Sequence, residues 1–242
     1  VPRPGIMGLD PYVGGESSLD GRDKVIKLSS NESAFGPSPK AAAAYNDAAG
    51  ELHRYPDGDC RALREALAAR HGLDAARIVC GAGSDELFLL LCKAYAGPGD
   101  EVLYNEHGFL MYPIAAKAVG ATPVTAPEKD LTADVDALLA ETRDNTRLLF
   151  LANPNNPTGT CLPAEELWRL CRGLDDGVIL VIDAAYAEFV TGEDYSPGND
   201  LVEGSGNVVM TRTFSKIYGL GGLRLGWAYC PKDIAGVLNR MR

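Results

Sequence analysis

Lys216 lies in the run Arg212 to Trp227, with Ser215 beside it and Arg224 eight residues further on. A lysine amine condenses with aldehydes, and a hydroxyl with a guanidinium nearby suits a phosphate. Pyridoxal phosphate carries both an aldehyde and a phosphate, and enzymes that use it hold it through such a lysine as a Schiff base. The apolar run Val208-Val209-Met210 precedes this segment and Gly219, Gly221 and Gly222 follow Lys216, which predicts a strand ending in a tight loop. Taken alone, the segment is also compatible with a solvated surface lysine before a glycine turn.

Three other segments point the same way. Gly81-Ala82-Gly83-Ser84-Asp85-Glu86 follows an apolar run and opens a helical pattern. Glycines let the backbone approach a ligand, and free amides at a helix start bind phosphate. Glu86 stands where a dinucleotide fingerprint needs its third glycine, and no Gly-Lys-Ser/Thr of a P-loop follows. The backbone amides and the Ser84 hydroxyl are the expected ligands, with the Glu86 side chain turned away; a plain tight turn capped by Ser84 is the alternative. Asn153-Pro154-Asn155-Asn156-Pro157-Thr158-Gly159 comes straight after Leu148 to Leu151 and predicts a rigid polar loop at the carboxyl edge of a parallel sheet. Val178 to Ile182 is wholly apolar and ends in Asp183, with Tyr186 three residues on. A carboxylate at the tip of a buried strand requires a cation or several donors. A pyridinium nitrogen is such a cation, and the phenol could reach the ring oxygen. A simple helix cap is the other reading of Asp183.

Composition narrows the partners. The net charge is -10 and 46% of the 242 residues are hydrophobic, so a large core is available and no basic patch suits nucleic acid or an anionic membrane. No apolar run is long enough for a membrane span, and the amino terminus lacks the apolar centre of a signal peptide. The six cysteines form no C-x-x-C pair and the three histidines no i, i+4 pair, so we expect reduced, mostly buried thiols and no metal site. These features predict a soluble, cytoplasmic protein.

The elements that must position the chemistry alternate as in β-α-β units, so the fold class is α/β with a mostly parallel sheet flanked by helices. Strands are predicted at Arg77–Cys80, Glu101–Tyr104, Thr122–Thr125, Arg147–Ala152, Val178–Ile182, Asn207–Met210 and Gly226–Cys230. Helices are predicted at Arg61–His71 behind an Asp59 cap, and at Ser84–Ala96, Phe109–Val119 and Pro163–Cys171. The glycine- and proline-rich first thirty residues read as an arm that packs on something else. From Pro231 a helical pattern runs to Arg242 without a stop signal.

The order of these pieces resembles the fold-type I pyridoxal-phosphate aminotransferases, most closely the histidinol-phosphate aminotransferases. The matching segments are Leu28–Glu32 with Gly36–Pro39, Arg54–Gly58, Gly81–Glu86, Glu106–Phe109 with Met111-Tyr112, Asn153–Gly159, Asp183–Phe189 and Thr213–Trp227. The resemblance implies that Lys216 forms the Schiff base and that Asp183 keeps the pyridine nitrogen protonated. It implies that Asn156 and Tyr186 hydrogen-bond the ring hydroxyl and that Phe109 stacks on the ring. Ser84, Asp85 through its amide, Ser215 and Arg224 would hold the phosphate, with Thr213 nearby. Tyr55 would reach the cofactor of the neighbouring subunit in a homodimer, and Asn31 and Tyr12 would meet substrate.

By the same resemblance, residues 1–30 are an amino-terminal arm and residues 31–230 a pyridoxal-phosphate-binding large domain of seven strands, the last antiparallel. Residues 231–242 begin a helix toward a carboxyl-terminal small domain that the chain lacks. The implied reaction interconverts histidinol phosphate and 2-oxoglutarate with imidazole-acetol phosphate and glutamate, in histidine biosynthesis. Aromatic amino acid aminotransferases and threonine-phosphate decarboxylases share the cofactor motifs, and a non-catalytic cofactor-binding fragment is a further reading.

Overall fold

A computed structural model describes residues 6–9, 12, 14–16, 18, 20–21 and 25–242. The predicted arm, residues 1–30, therefore lies partly outside the described residues. Nine strands are described: β1 (Ile78–Gly81), β2 (Glu101–Asn105), β3 (Thr122–Ala126), β4 (Glu128–Lys129), β5 (Thr132–Ala133), β6 (Thr146–Ala152), β7 (Ile179–Asp183), β8 (Val208–Thr213) and β9 (Gly226–Tyr229). The α-helices are α1 (Pro39–Ala48), α2 (Arg61–His71), α3 (Ser84–Tyr95), α4 (Met111–Ala118), α5 (Val135–Ala140), α6 (Ala164–Gly173), α7 (Asn199–Gly204) and α8 (Lys232–Met241).

Seven strands form one sheet in the order β1-β9-β8-β7-β6-β2-β3, and β4 and β5 form a separate hairpin. Strands β3, β2, β6, β7 and β8 run parallel, whereas β9 is antiparallel to both β8 and β1, as the resemblance implied. Each of the seven predicted strands is present, with ends that move by one to three residues. The cause is visible in β6 and β7: the unbroken apolar runs Leu148–Ala152 and Ile179–Ile182 bury both faces, as a central parallel strand demands.

Side chains alternate between two cores. Leu149, Leu151, Leu180, Ile182 and Met210 meet Leu167, Leu170, Val135 and Leu138 of α6 and α5 on one face. Leu148, Phe150, Val181 and Val209 meet Leu87, Phe88 and Leu91 of α3 and Tyr112 of α4 on the other. Helix α8 joins this second core through Ile234, Ala235 and Leu238. Helix α1 has Ser38 as its cap, accepting from the Ala41 amide, and Pro39 in its first turn, but buries no residue.

Three local expectations are corrected. Asp59 does not cap α2. Cys60 occupies the cap position with a left-handed backbone, and Asp57 accepts from the Arg61 and Asp59 amides in its place. Ser84 is the first residue of α3 rather than its cap; Gly83, at φ 82°, takes that position. Helix α4 begins at Met111 and not Phe109, because Pro113 is tolerated only near a first turn, and Phe109 is left on the preceding loop. Of the cysteines, Cys80, Cys92 and Cys230 are buried, but Cys161 is exposed. No described helix is long and apolar enough to cross a membrane.

The central strand carries the stability that the rest borrows. Leu180→Ala empties a site with no solvent access in the middle of β7, and should cost about 2–5 kcal/mol in urea unfolding followed by circular dichroism.

Candidate active site

The carboxyl ends of β6, β7 and β8, the start of α3 and the loop after β2 converge on one cavity of about 310 Å³. Every residue predicted for the site lines it except Tyr55, which is fully exposed and lines none of the described cavities. Asp183 is the last residue of β7 and is buried. Burial pushes its carboxyl up to about 6, against the Tyr112 hydroxyl and the Ala185 amide, which favour the charged form. Tyr112 Oη donates to Asp183 Oδ2 at 2.8 Å, and the Ala185 amide donates to Oδ1 at 3.2 Å. Among the described residues Asp183 has no ion-pair partner.

Tyr112 is the functional residue that sequence reasoning left without a role. It is wholly buried, stacks on Phe150 with centroids 4.8 Å apart, and meets Phe109 edge-on. Burial, with the Asp183 carboxylate beside it, holds its phenol well above the ordinary range, so it is a permanent donor. The available signal was a phenol on the α4 face that also carries Ala115 and Ala116; a buried hydroxyl needs a partner.

The phosphate-binding candidates form the opposite wall. Arg224 sits at φ 50° after the turn Gly221–Leu223, a left-handed conformation that non-glycine residues adopt rarely and mostly at functional positions. Its NH1 donates to Ser215 Oγ at 3.2 Å, and Thr213 Oγ1 donates to the same oxygen at 3.0 Å. Two glycines keep this wall thin. A Cβ on Gly83 would meet Arg224 NH2 at 2.5 Å, and one on Gly226 would meet the Ser84 amide nitrogen at 2.6 Å. Glu86 is turned away from the cavity and accepts from the Ala82 amide at 2.7 Å. The Asp85 carboxylate lies 3.3 Å from Arg224 NH2. Burial raises the Asp85 carboxyl, against the pull of Arg224 and Lys216.

Lys216 is half-buried, with its ammonium 5.4 Å from the Tyr186 ring centroid. Its Nζ makes no hydrogen bond to a described residue, so the amine is unencumbered. Asn31 Nδ2 donates to Tyr186 Oη at 2.8 Å and lies 3.5 Å from Asn156 Oδ1, so these three polar groups share one corner. The amino-terminal segment is seated closely: a Cβ on Gly219, beyond Lys216, would strike the Gly36 carbonyl oxygen at 2.3 Å. Tyr12 lines the mouth of the cavity and is largely exposed, and Phe109 lines it from the loop after β2. A nucleophilic amine, a buried unpaired carboxylate and a guanidinium–hydroxyl wall together suit a phosphorylated, cationic-ring aldehyde.

Known proteins bear on this arrangement. The family model for aminotransferases of class I and II matches residues 23–242. Over 242 residues the chain is 68% identical to the histidinol-phosphate aminotransferase of Paramagnetospirillum magneticum, covering all of this chain and 67% of that protein. It is 65% identical to the enzyme of the same name from Rhodospirillum rubrum, of which it covers 65%. The chain thus spans about two thirds of the length of these relatives. A crystal structure of histidinol-phosphate aminotransferase from Sinorhizobium meliloti, in complex with pyridoxal-5'-phosphate, superposes with a TM-score of 0.84 at 34% identity, over 88% of this chain and 58% of that one. L-threonine-O-3-phosphate decarboxylase from Porphyromonas gingivalis gives 0.74 at 25% identity, over 87% of this chain and 62% of that one. With a mostly parallel seven-stranded sheet, a lysine loop at its carboxyl edge and a family match over nearly its whole length, the chain belongs to the class I and II aminotransferases.

Proposed function

We propose that this chain carries the cofactor site of a pyridoxal-phosphate-dependent histidinol-phosphate aminotransferase. One observation carries the reading: Lys216, the Asp183 carboxylate and the Arg224 guanidinium line a single cavity. The residues present fit the cofactor. Asp183 is a buried anion short of a cation, Gly83 and Gly226 let the Arg224 guanidinium and the Ser84 amide pack closely at one wall, and Ser84, Ser215 and Arg224 supply donors for a phosphate.

When bound, pyridoxal phosphate supplies an aldehyde that accepts amines and a protonated ring that withdraws electrons. Lys216 would hold the aldehyde through its amine, and its free amine would serve as general base and acid for the proton of the substrate α-carbon. Asp183, oriented by Tyr112, holds the proton on the ring nitrogen. Asn156 and Tyr186 hold the ring hydroxyl, with Asn31 fixing the Tyr186 phenol. Phe109 covers the ring face, and Thr213 orients the Ser215 hydroxyl toward the phosphate. Asn31 and Tyr12, both at the cavity, are the substrate contacts of this chain.

The donor is glutamate, leaving as 2-oxoglutarate, and the second half-reaction interconverts imidazole-acetol phosphate and histidinol phosphate, in histidine biosynthesis. The fully exposed Tyr55 serves a neighbouring copy in a homodimer. Residues 31–230 are the cofactor domain. Threonine-phosphate decarboxylation has support from one structural likeness, but the named relatives above 60% identity favour amino transfer.

Three outcomes follow. Purified protein with pyridoxal phosphate should absorb near the violet edge of the visible, become covalently labelled on borohydride reduction, and change spectrum with glutamate and with histidinol phosphate. Lys216→Ala should abolish the label, and carbon dioxide release from threonine phosphate would overturn the assignment. Tyr112→Phe removes the donor to Asp183 Oδ2 and should lower kcat about tenfold or more with little change in KM, the loss of roughly one charge-assisted hydrogen bond. In the cofactor-free protein, the fold favours the neutral Asp183 carboxyl, raised from 3.8 to about 6. The stability that this preference brings is present below about pH 4 and is lost as pH rises to about 6. Asp183→Asn should therefore gain on the wild type across that window, by roughly 2–3 kcal/mol in urea unfolding.

A further inference from the structure

The hairpin of β4 and β5 stands beside the two loops that carry Phe109 and Asn156, yet Glu128 lines none of the described cavities. The Glu128 side chain is 2% exposed and accepts three hydrogen bonds. Asn105 Nδ2 donates at 2.5 Å, the His107 amide at 3.1 Å, and His107 Nδ1 lies at 2.9 Å. Burial alone would raise this carboxyl, but the donors from Asn105 and His107 outweigh it and hold it below its usual range. A carboxylate so placed accepts at both oxygens and donates nothing.

The bonds continue from there into the site. The His107 carbonyl accepts from Asn155 Nδ2 at 3.2 Å, and Thr160 Oγ1 donates to the Leu131 carbonyl at the hairpin tip at 2.9 Å. The turn between Asn105 and Phe109 is tight: the Gly108 amide donates to the Asn105 carbonyl at 2.8 Å, and a Cβ on Gly108 would lie 2.8 Å from the Tyr104 ring. Phe109 follows this turn directly, and Asn156 adjoins Asn155. The hairpin therefore grips both loops, and its one buried charge sits at the junction.

We infer that Glu128 is a positioning residue for the cofactor site, setting the placement of Phe109 over the ring and of Asn156 beside it. The inference rests on the pyridoxal-phosphate reading above. Glutamine at this position keeps the volume but removes the charge: Asn105 Nδ2 and the His107 amide lose a charged acceptor, and His107 Nδ1, facing an NH2, must change tautomer to keep its bond.

The test compares wild type with Glu128→Gln in two states of the whole chain. In the cofactor-free protein, amide hydrogen exchange in residues 105–109 and 153–160 should quicken about tenfold, the loss of one hydrogen bond to a charged group, while α3 and β7 stay unchanged. With pyridoxal phosphate bound, the visible circular dichroism per bound cofactor should change and the Kd should weaken about tenfold. Phe109→Leu should share part of the dichroism change, so the double variant should fall short of the sum of the two single variants. Unchanged dichroism and Kd, additive effects, or faster exchange spread evenly over the molecule would each overturn the inference. His107→Ala, at a half-exposed ring, should show the same signature at smaller amplitude and serves if Glu128→Gln does not fold. Failure of the wild type to take up pyridoxal phosphate would sink the cofactor reading instead, and the exchange comparison would still decide whether Glu128 holds the two loops.

Discussion

A negative charge at the end of a strand with no solvent access is the constraint around which this molecule is arranged. Asp183 ends β7, whose preceding residues are all apolar and buried, so the carboxylate is carried into the sheet's edge by the strand and cannot retreat to water. Isolated there it would be costly by several kcal/mol. Three donors lessen that cost: the Tyr112 hydroxyl from α4, the Ala185 amide from the turn after β7 and, at 3.5 Å, the Thr211 hydroxyl from β8. None supplies a positive charge. The carboxylate is left without a cation among the described residues, and the β8–β9 connection, which carries both Lys216 and Arg224, lines the same cavity.

The two cores explain how such precision survives on loops. Strand β7 is flanked by β6 and β8, each packed on both faces, so three adjacent carboxyl ends start from fixed points. Each loop is then tied to at least one other element. The loop after β2 is bound to the β4–β5 hairpin, the proline loop to the loop after β2, and the lysine loop to the segment at Gly36. Coupling of this kind transmits a local change sideways along the rim of the sheet rather than down into the strands.

Much of this was legible from residue types. The strands were read within one to three residues because continuous apolar runs of that length admit few other interpretations, and Lys216, Asp183 and Arg224 stood at the ends of such runs. The rest depended on long-range geometry. Two-residue strands such as β4 and β5 carry no periodicity, so nothing in the residue pattern marks the hairpin or singles out Glu128. Asp57 and Asp59 are equally good caps by type, and the backbone at Cys60 decides between them. Ser84 is a plausible cap until Gly83 is seen at positive φ. Tyr112 was noted as part of a matching segment, but its bond to Asp183 spans parts of the chain that only the folded sheet brings together.

Strand β9 has a consequence for how the chain is made. It is wedged between β8 and β1, and it is the sheet neighbour of β1. Ile78 pairs with Tyr229, so a nascent chain emerging from the ribosome delivers β1 long before its mate. Until residues 226–229 arrive, the glycine turn after β1 has no sheet beside it, and Gly226 has not yet closed against Ser84. Closing so long a loop is slow and leaves strand edges open meanwhile. The wall where Gly226 meets Gly83 and Ser84 is thus the last part of the sheet to close during translation.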